Sequence, residues 1–328
     1  MNQYTILLSA PYMLPYTDHF LPILDQLGCD VIIPEVNERL SEEEILTYAG
    51  EFDGAICGDD RYSGKVIRQC APRLKVISKW GTGIDSIEKS TADSLGIPVF
   101  RTTNAFTTPV SDSVLAYILA FSRKQPWLDR NVKRGKWKKI TGKSLAESTL
   151  GVIGVGNIGK AVLKKAHAFN MRLLGNDIVP ISRGFTKKYE VDMMRFEDLI
   201  SQADFISINC DLNPSSRHLI NAKMLALVKP SAVIINTARG SIIDEAALIN
   251  ALEDKKIAGA ALDVFEIEPL PDDSPLLSMD QVMLAPHNSN SSPLAWEAVH
   301  WNTIRNLLIG LGLPLDKFDT IKKEKMRM

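Results

Sequence analysis

The feature that most constrains this chain lies in mid-sequence: Leu150-Gly151-Val152-Ile153-Gly154-Val155-Gly156-Asn157-Ile158-Gly159-Lys160-Ala161. It reads as an apolar strand that enters G-x-G-x-x-G and leaves as a helix. In such a turn Gly154 permits the tight bend, Gly156 lets the backbone approach a diphosphate, and Gly159 allows close helix–strand contact. The new helix turns its free N–H groups and the positive end of its dipole toward that diphosphate. Glycines punctuate many turns, so the motif is weak by itself and its context decides. A second strand pattern, Leu173-Leu174-Gly175-Asn176-Asp177, puts Asp177 18 residues past Gly159, where an acid takes the adenosine ribose hydroxyls of a dinucleotide. A carboxylate there repels a 2′-phosphate, so NAD is expected rather than NADP, with Arg183 nearby as the one contrary feature. The ordinary alternative is a structural glycine turn followed by an unremarkable strand-end acid.

Short apolar runs alternate with helical patterns on both sides of this motif. Strand candidates are Ile6–Ser9, Val31–Pro34, Gly54–Cys57, Val76–Trp80, Pro98–Phe100, Leu150–Gly154, Arg172–Asn176, Phe205–Asn209, Val233–Asn236, Gly259–Val264 and Val282–Ala285. Amphipathic stretches such as Ser111–Ser122, Ile158–Phe169 and Glu245–Lys255 lie between them. Near-continuous apolar strands separated by helices predict α/β architecture with parallel sheets covered on both faces. Eleven strands exceed the roughly six of one doubly wound sheet, so two such domains are expected. Because the glycine motif opens only near residue 151, a Rossmann cofactor domain (104–289) is expected to be inserted in a flavodoxin-like substrate domain (1–103 and 290–328). The helical pattern Ser111–Ser122 would make one crossover, and a C-terminal helix near Pro293–Leu311 would return to the first domain.

The length, 328 residues, suits two domains, since single cores rarely grow past about 250–300 residues. A formal charge of −1 gives no overall field to recruit nucleic acid or an anionic membrane. The one basic cluster, Lys133-Arg134-Gly135-Lys136-Trp137-Lys138-Lys139, fits a solvated face or an oligomer arm. Cys29, Cys57, Cys70 and Cys210 are scattered, with no metal-ligand spacing, as expected of reduced thiols in a cytoplasmic protein without a metal centre. No signal peptide is expected at the N-terminus, and no apolar run approaches the ~18 residues of a membrane span.

Three segments each place a functional group just beyond a strand. Ile234-Ile235-Asn236-Thr237-Ala238-Arg239-Gly240 carries Arg239, Ala261-Leu262-Asp263-Val264-Phe265-Glu266-Ile267-Glu268-Pro269 carries Asp263 and Glu268, and Leu284-Ala285-Pro286-His287 carries His287. Ligands of open parallel sheets bind outside the carboxyl ends of the strands, so these groups share one edge. Their chemistry is complementary. An arginine grips a carboxylate with two N–H bonds and polarises an adjacent carbonyl. A histidine exchanges a proton with a forming alkoxide, and a carboxylate beside it fixes the ring and favours its charged form. Taken singly, each has an ordinary alternative: a surface ion pair for Arg239, a solvated acid for Glu268, a satisfied core histidine for His287.

The sequence resembles the D-isomer-specific 2-hydroxy-acid dehydrogenases, a family that includes D-3-phosphoglycerate dehydrogenases and glyoxylate/hydroxypyruvate reductases. The resemblance covers nearly the whole chain and rests on Lys79-Trp80-Gly81-Thr82-Gly83-Ile84-Asp85, the glycine motif, Thr237-Ala238-Arg239-Gly240, Asp263 to Pro269 and Pro286-His287. It implies hydride transfer between NAD(H) and a small D-2-hydroxy acid or its 2-oxo acid, with Arg239, Glu268 and His287 as the catalytic set. It further implies substrate contacts at Trp80, Gly81, Thr82, Gly83, Arg239 and His287, with the carboxylate held by Arg239 and backbone N–H groups near Thr82 and Gly83. Cofactor contacts are implied at Thr82, Gly154, Gly156, Asn157, Ile158, Gly159, Asp177, Cys210, Thr237, Ala238, Arg239, Asp263 and His287, with Asp263 orienting the nicotinamide carboxamide. A homodimer joined through the cofactor domain is implied too, with Trp127, Trp137 and the basic segment where its arm would lie.

Three departures bear on the substrate. Asn209-Cys210-Asp211-Leu212-Asn213 replaces the usual His-x-Pro-Leu-Thr, polar residues (Asn288 to Ser292) follow His287, and Trp80 is bulkier than expected. One alternative substrate class is therefore a phosphonate, sulfonate or phosphorylated acid, with Arg61 or Lys79 supplying charge. The alternative from another class is an NAD-sensing, corepressor-like binding protein.

Overall fold

The computed structural model describes residues 3–325, so residues 1–2 and 326–328 of the expected substrate domain lie outside it. The chain divides into two compact units, Met1–Ala105 with Ser292–Met328, and Phe106–Ser291.

The first unit holds five strands, β1 (Tyr4–Leu8), β2 (Cys29–Ile32), β3 (Gly54–Cys57), β4 (Val76–Lys79) and β5 (Val99–Phe100). All pair in parallel in the order 2-1-3-4-5, the flavodoxin-like arrangement. The central strands β3 and β4 are buried along their whole length, as strands covered on both faces must be. The long helix Pro293–Gly310, which the further helix Asp316–Lys325 follows, covers one face closely. A Cβ on Gly310 would sit 2.2 Å from Val76 Cγ2, and one on Gly54 2.7 Å from Leu307 Cδ1. Ser78 Oγ donates to the Thr303 carbonyl at 2.8 Å inside this contact. Phe52, Val66, Ile67, Leu74 and Ile77 belong to a second apolar cluster of this unit.

The second unit holds β6 (Thr149–Ile153), β7 (Arg172–Asn176), β8 (Val191–Met193), β9 (Phe205–Ile208), β10 (Val233–Asn236), β11 (Gly259–Leu262) and β12 (Val282–Leu284). They form one parallel sheet in the order β12-β11-β10-β9-β6-β7-β8, the Rossmann order 3-2-1-4-5-6 with a seventh strand added. The alternation of side chains sorts its residues into two cores. Leu174, Ile206 and Ile234 pack with Leu199, Ile200 and Leu248. Leu173, Val233, Ile235 and Ala261 pack with Val114, Ile118 and Val162, the first two from the helix Thr107–Arg123.

Two sequence expectations need correction. The structure has a twelfth strand, β8, whose Asp192 and Met193 are exposed at the sheet edge, so no apolar run announced it. The helix expected over Glu245–Lys255 ends at Glu253, two residues before Lys255 takes a left-handed φ of 56°.

Candidate active site

The turn between β6 and the helix Asn157–His167 is built by its glycines. Gly154 has φ 86°, and a Cβ there would lie 2.6 Å from Cys210 N, so only glycine lets the end of β9 close on the turn. A Cβ on Gly159 would fall 2.0 Å from the Gly154 carbonyl oxygen. Gly156 is different: it caps the helix, and a Cβ there would meet nothing within 4 Å, so its backbone faces open space. Asp177 reaches this turn from the end of β7, where one carboxylate oxygen accepts Val155 N–H at 2.6 Å and the other accepts Val179 N–H at 2.9 Å. Asn157 and Ile158 open the helix beside Gly156. The Cys210 thiol is pushed up to about 11, first by burial, which removes it as a nucleophile near neutral pH.

At the end of β10 the Asn236 side chain shapes the next turn. Its oxygen accepts Ala238 N–H at 3.1 Å and its amide donates to the Arg239 carbonyl at 2.9 Å. Arg239 Nη1 donates to the Ala238 carbonyl at 2.8 Å. The Thr237 hydroxyl and the Asn209 side-chain oxygen are buried and lack a partner within the protein. Together with the open backbone at Gly156, these orphaned polar atoms fit a polar ligand laid along the carboxyl ends of β6, β9 and β10.

Glu268 and His287 are brought together. His287 Nδ1 lies 3.0 Å from Glu268 Oε2, with side chains only 22% and 20% exposed, and Glu268 Oε1 accepts Phe265 N–H at 2.9 Å. An ionised carboxylate only accepts, so Nδ1 carries the proton and Nε2 is the ring nitrogen left for exchange. His287 sits three residues past β12 with φ 50°, an unusual left-handed conformation for a histidine, and its N–H bonds the Asp263 carbonyl at 2.8 Å. The carboxylate of Asp263 accepts Asn288 N–H at 2.8 Å and Ser289 N–H at 2.9 Å, from a position only 1% exposed. Arg239 is joined to this group through Gly240. A Cβ on Gly240 would fall 1.9–2.4 Å from backbone atoms of Phe265 and Glu266, so the two loops touch where only a glycine fits.

In the other unit, Trp80-Gly81-Thr82-Gly83 follows β4 directly. Gly81 has φ 120° and its carbonyl accepts Thr102 N–H, while the Thr82 hydroxyl donates to the Thr102 carbonyl at 2.8 Å. Trp80 is buried, its indole N–H donating to His300 Nδ1 at 2.8 Å. Lys79 does not offer spare charge: buried, it pairs with Asp59 at 3.0 Å and donates to the Trp80 carbonyl. Arg61 is exposed.

Sequence reasoning missed several residues here. Asn236 was visible only as a polar residue ending an apolar strand. Asp263, singled out in the sequence as a strand-end cofactor contact, also braces the His287 turn, a role nothing in its local sequence announces. His218 and Glu266, 2.6 Å apart, and Glu245, which accepts Glu266 N–H, also stand beside the pair.

Comparison with known proteins identifies the family. Residues 115–289 match the profile of the D-isomer specific 2-hydroxyacid dehydrogenase, NAD binding domain. The chain is 37% identical over 287 residues to the D-3-phosphoglycerate dehydrogenase of Methanocaldococcus jannaschii, covering 87% of this chain and 54% of that protein. It thus spans about half the length of that relative. It is 36% identical to the glyoxylate reductase of Thermofilum pendens over 85% of each chain. The crystal structure of TT0316 protein from Thermus thermophilus superposes with a TM-score of 0.83 at 29% identity, over 94% of this chain and 97% of that one. The chain belongs to the D-isomer-specific 2-hydroxyacid dehydrogenase family, and its second unit is that family's NAD-binding domain. Among the described residues no helix is long and apolar enough to cross a membrane, and no cluster of side chains is suited to a metal ion.

Proposed function

We propose that the chain is an NAD-dependent oxidoreductase that interconverts a small D-2-hydroxy acid and its 2-oxo acid. The observation that carries this is the half-buried His287–Glu268 pair at the carboxyl end of a Rossmann sheet. Bound there, NAD(H) supplies or accepts the hydride at the substrate's second carbon. Asp177, Thr237 and the backbone at Gly154, Gly156 and Ala238 would hold it, with Asp263 toward its nicotinamide. Arg239 binds the substrate carboxylate and draws electron density from the neighbouring carbonyl. In reduction, negative charge grows on the carbonyl oxygen and His287 Nε2–H gives it a proton; in oxidation the neutral ring takes the proton back. Glu268 holds the ring through Nδ1 and balances the imidazolium charge.

The names of the relatives point to glyoxylate or a phosphorylated acid as substrate. The pairing of Lys79 with Asp59 leaves that lysine no spare charge for a phosphate and favours a small unphosphorylated acid. An NAD-sensing binding protein would leave the aligned His287–Glu268 pair without a task. Trp137, 92% exposed within the basic segment, favours a homodimer, which sedimentation at twice the chain mass would establish and sedimentation at the chain mass would refute. Four free cysteines suit a cytoplasmic setting.

The test is a screen of 2-oxo acids at fixed NADH, followed by His287→Ala with the best one. Its kcat should fall by about 10²–10⁴-fold with NADH affinity nearly unchanged, the usual worth of a general acid. Near-normal turnover in this variant would overturn the mechanism.

A further inference from the structure

Behind the His287–Glu268 pair lies a second layer of ionisable groups that the mechanism above leaves unused. Glu266 and Glu268 sit two residues apart on the loop after β11. Glu266 Oε1 lies 2.6 Å from His218 Nε2, in a pair with side chains 41% (His218) and 30% (Glu266) exposed. Glu245 opens the helix Glu245–Glu253 just after its cap, Asp244, whose side chain accepts Ala247 N–H. From there Glu245 Oε2 accepts the backbone N–H of Glu266 at 3.1 Å. Three elements, the turn holding His218, the start of the helix and the loop after β11, thus converge on Glu266 and Glu268.

The charges in this layer do not balance. Of its three carboxylates, Glu266 faces His218 and Glu268 faces His287, while Glu245 faces the other two acids. Burial is the first cause that raises the Glu245 carboxyl above its ordinary value, and Glu266 and Glu268 raise it further against the lowering bond from Glu266 N–H. Those Coulomb contacts place the three acids within range of one another. Negative charge on Glu245 is felt at Glu268 and, through it, at the imidazolium. Beside the pair, the Asp263 carboxylate takes the two N–H groups that follow His287, and Tyr117 on the helix Thr107–Arg123 lies within Coulomb range of Asp263.

We propose that Glu245 is a positioning residue for the acid/base pair: through the Glu266 backbone it fixes the loop that carries Glu268, and through its charge it keeps His287 protonated to higher pH. The inference rests on His287 being the proton donor in reduction. Glu245 acts through Glu266 and Glu268, so its contribution is read in the pH profile rather than in NADH binding.

Glu245→Gln separates the two effects, because glutamine keeps an acceptor for Glu266 N–H and loses the charge. The alkaline limb of kcat/KM for oxo-acid reduction should then move to lower pH by about half a unit, the order expected when one nearby charge is removed at an effective dielectric well above that of dry protein. Glu266→Gln, which can still bond His218, should move the limb in the same direction. Glu245→Ala should show the shift and in addition lose about tenfold in kcat as the loop loosens. NADH affinity, measured by fluorescence titration, and melting temperature report that the variants are folded. An unshifted limb in folded Glu245→Gln overturns the proposal, as does a wild-type profile in Glu245→Ala. His287→Ala measured alongside separates the failures. If that variant is inactive and the limb does not move, only the role of Glu245 falls; if it remains active, the acid/base mechanism itself falls.

Discussion

The carboxylate of Asp263 is almost fully buried, yet both its oxygens are spoken for by the two N–H groups that follow His287. Backbone held in this way can keep a histidine at positive φ, a conformation that has to be overdetermined by its surroundings to persist. Asparagine at this position offers one acceptor instead of two, so one buried N–H faces an amide that cannot receive it, at a cost of about 1–3 kcal/mol. Asp263→Asn should therefore melt at a lower temperature and lose about 10²-fold in kcat as the imidazole drifts from its working position. Calorimetry and steady-state kinetics at saturating NADH would check this, and a variant with wild-type values of both would show that the turn does not depend on the brace. The residues that carry chemistry were legible in the sequence because they follow apolar strands with few residues between. Those that hold them in place were not. Asp263 and Glu245 take backbone N–H groups that are 21 to 26 residues away, and Asn236 shapes the turn just after it through an amide that the sequence shows only as a polar strand end.

At the scale of elements, the parallel strands of both sheets were readable because burial on two faces forces runs such as Val233-Ile234-Ile235, which have no polar side. The exception, β8, lies at the sheet edge, where one face and the outer edge meet solvent and the apolar signal disappears. Junctions between elements depend on close approach more than on hydrophobicity. Gly240 is the point where the loop after β10 meets the loop after β11, and the space a Cβ needs there is filled by main chain. Backbone cannot rotate away as a side-chain tip can, so Gly240→Ala must push Arg239 and Glu268 apart. The expected result is a loss of more than about 10²-fold in kcat/KM for the oxo acid, while the glycine turn at Gly154 to Gly159 and NADH binding are largely spared. An alanine variant with native kcat/KM would mean that the two loops can separate without consequence, contrary to the packing.

At the scale of the whole molecule, the first unit owes part of its stability to an aromatic cluster that no periodicity revealed. Its members, Tyr12, Tyr16, Phe20, Trp80, Trp296, His300 and Trp301, come from opposite ends of the chain. At its centre His300 accepts the Trp80 indole N–H at Nδ1, and because an indole only donates, the neutral ring carries its hydrogen on Nε2. Acid must therefore protonate Nδ1 and break that bond. Burial, and then the nearby His19, hold the His300 value down at about 4, against an ordinary 6.5. Its folded-state value is below the unfolded one, so between these limits the unfolded chain binds more protons and stability rises with pH. The contribution is complete above about pH 6.5 and is lost as the pH falls toward 4. His300→Gln retains an acceptor for Trp80 and cannot titrate. Its melting temperature should be lower than wild type at pH 7.5, but the gap should narrow as the pH is brought from 6.5 toward 4.5. Parallel melting profiles for the two proteins across that window would show that His300 is not the group whose protonation weakens the first unit in acid.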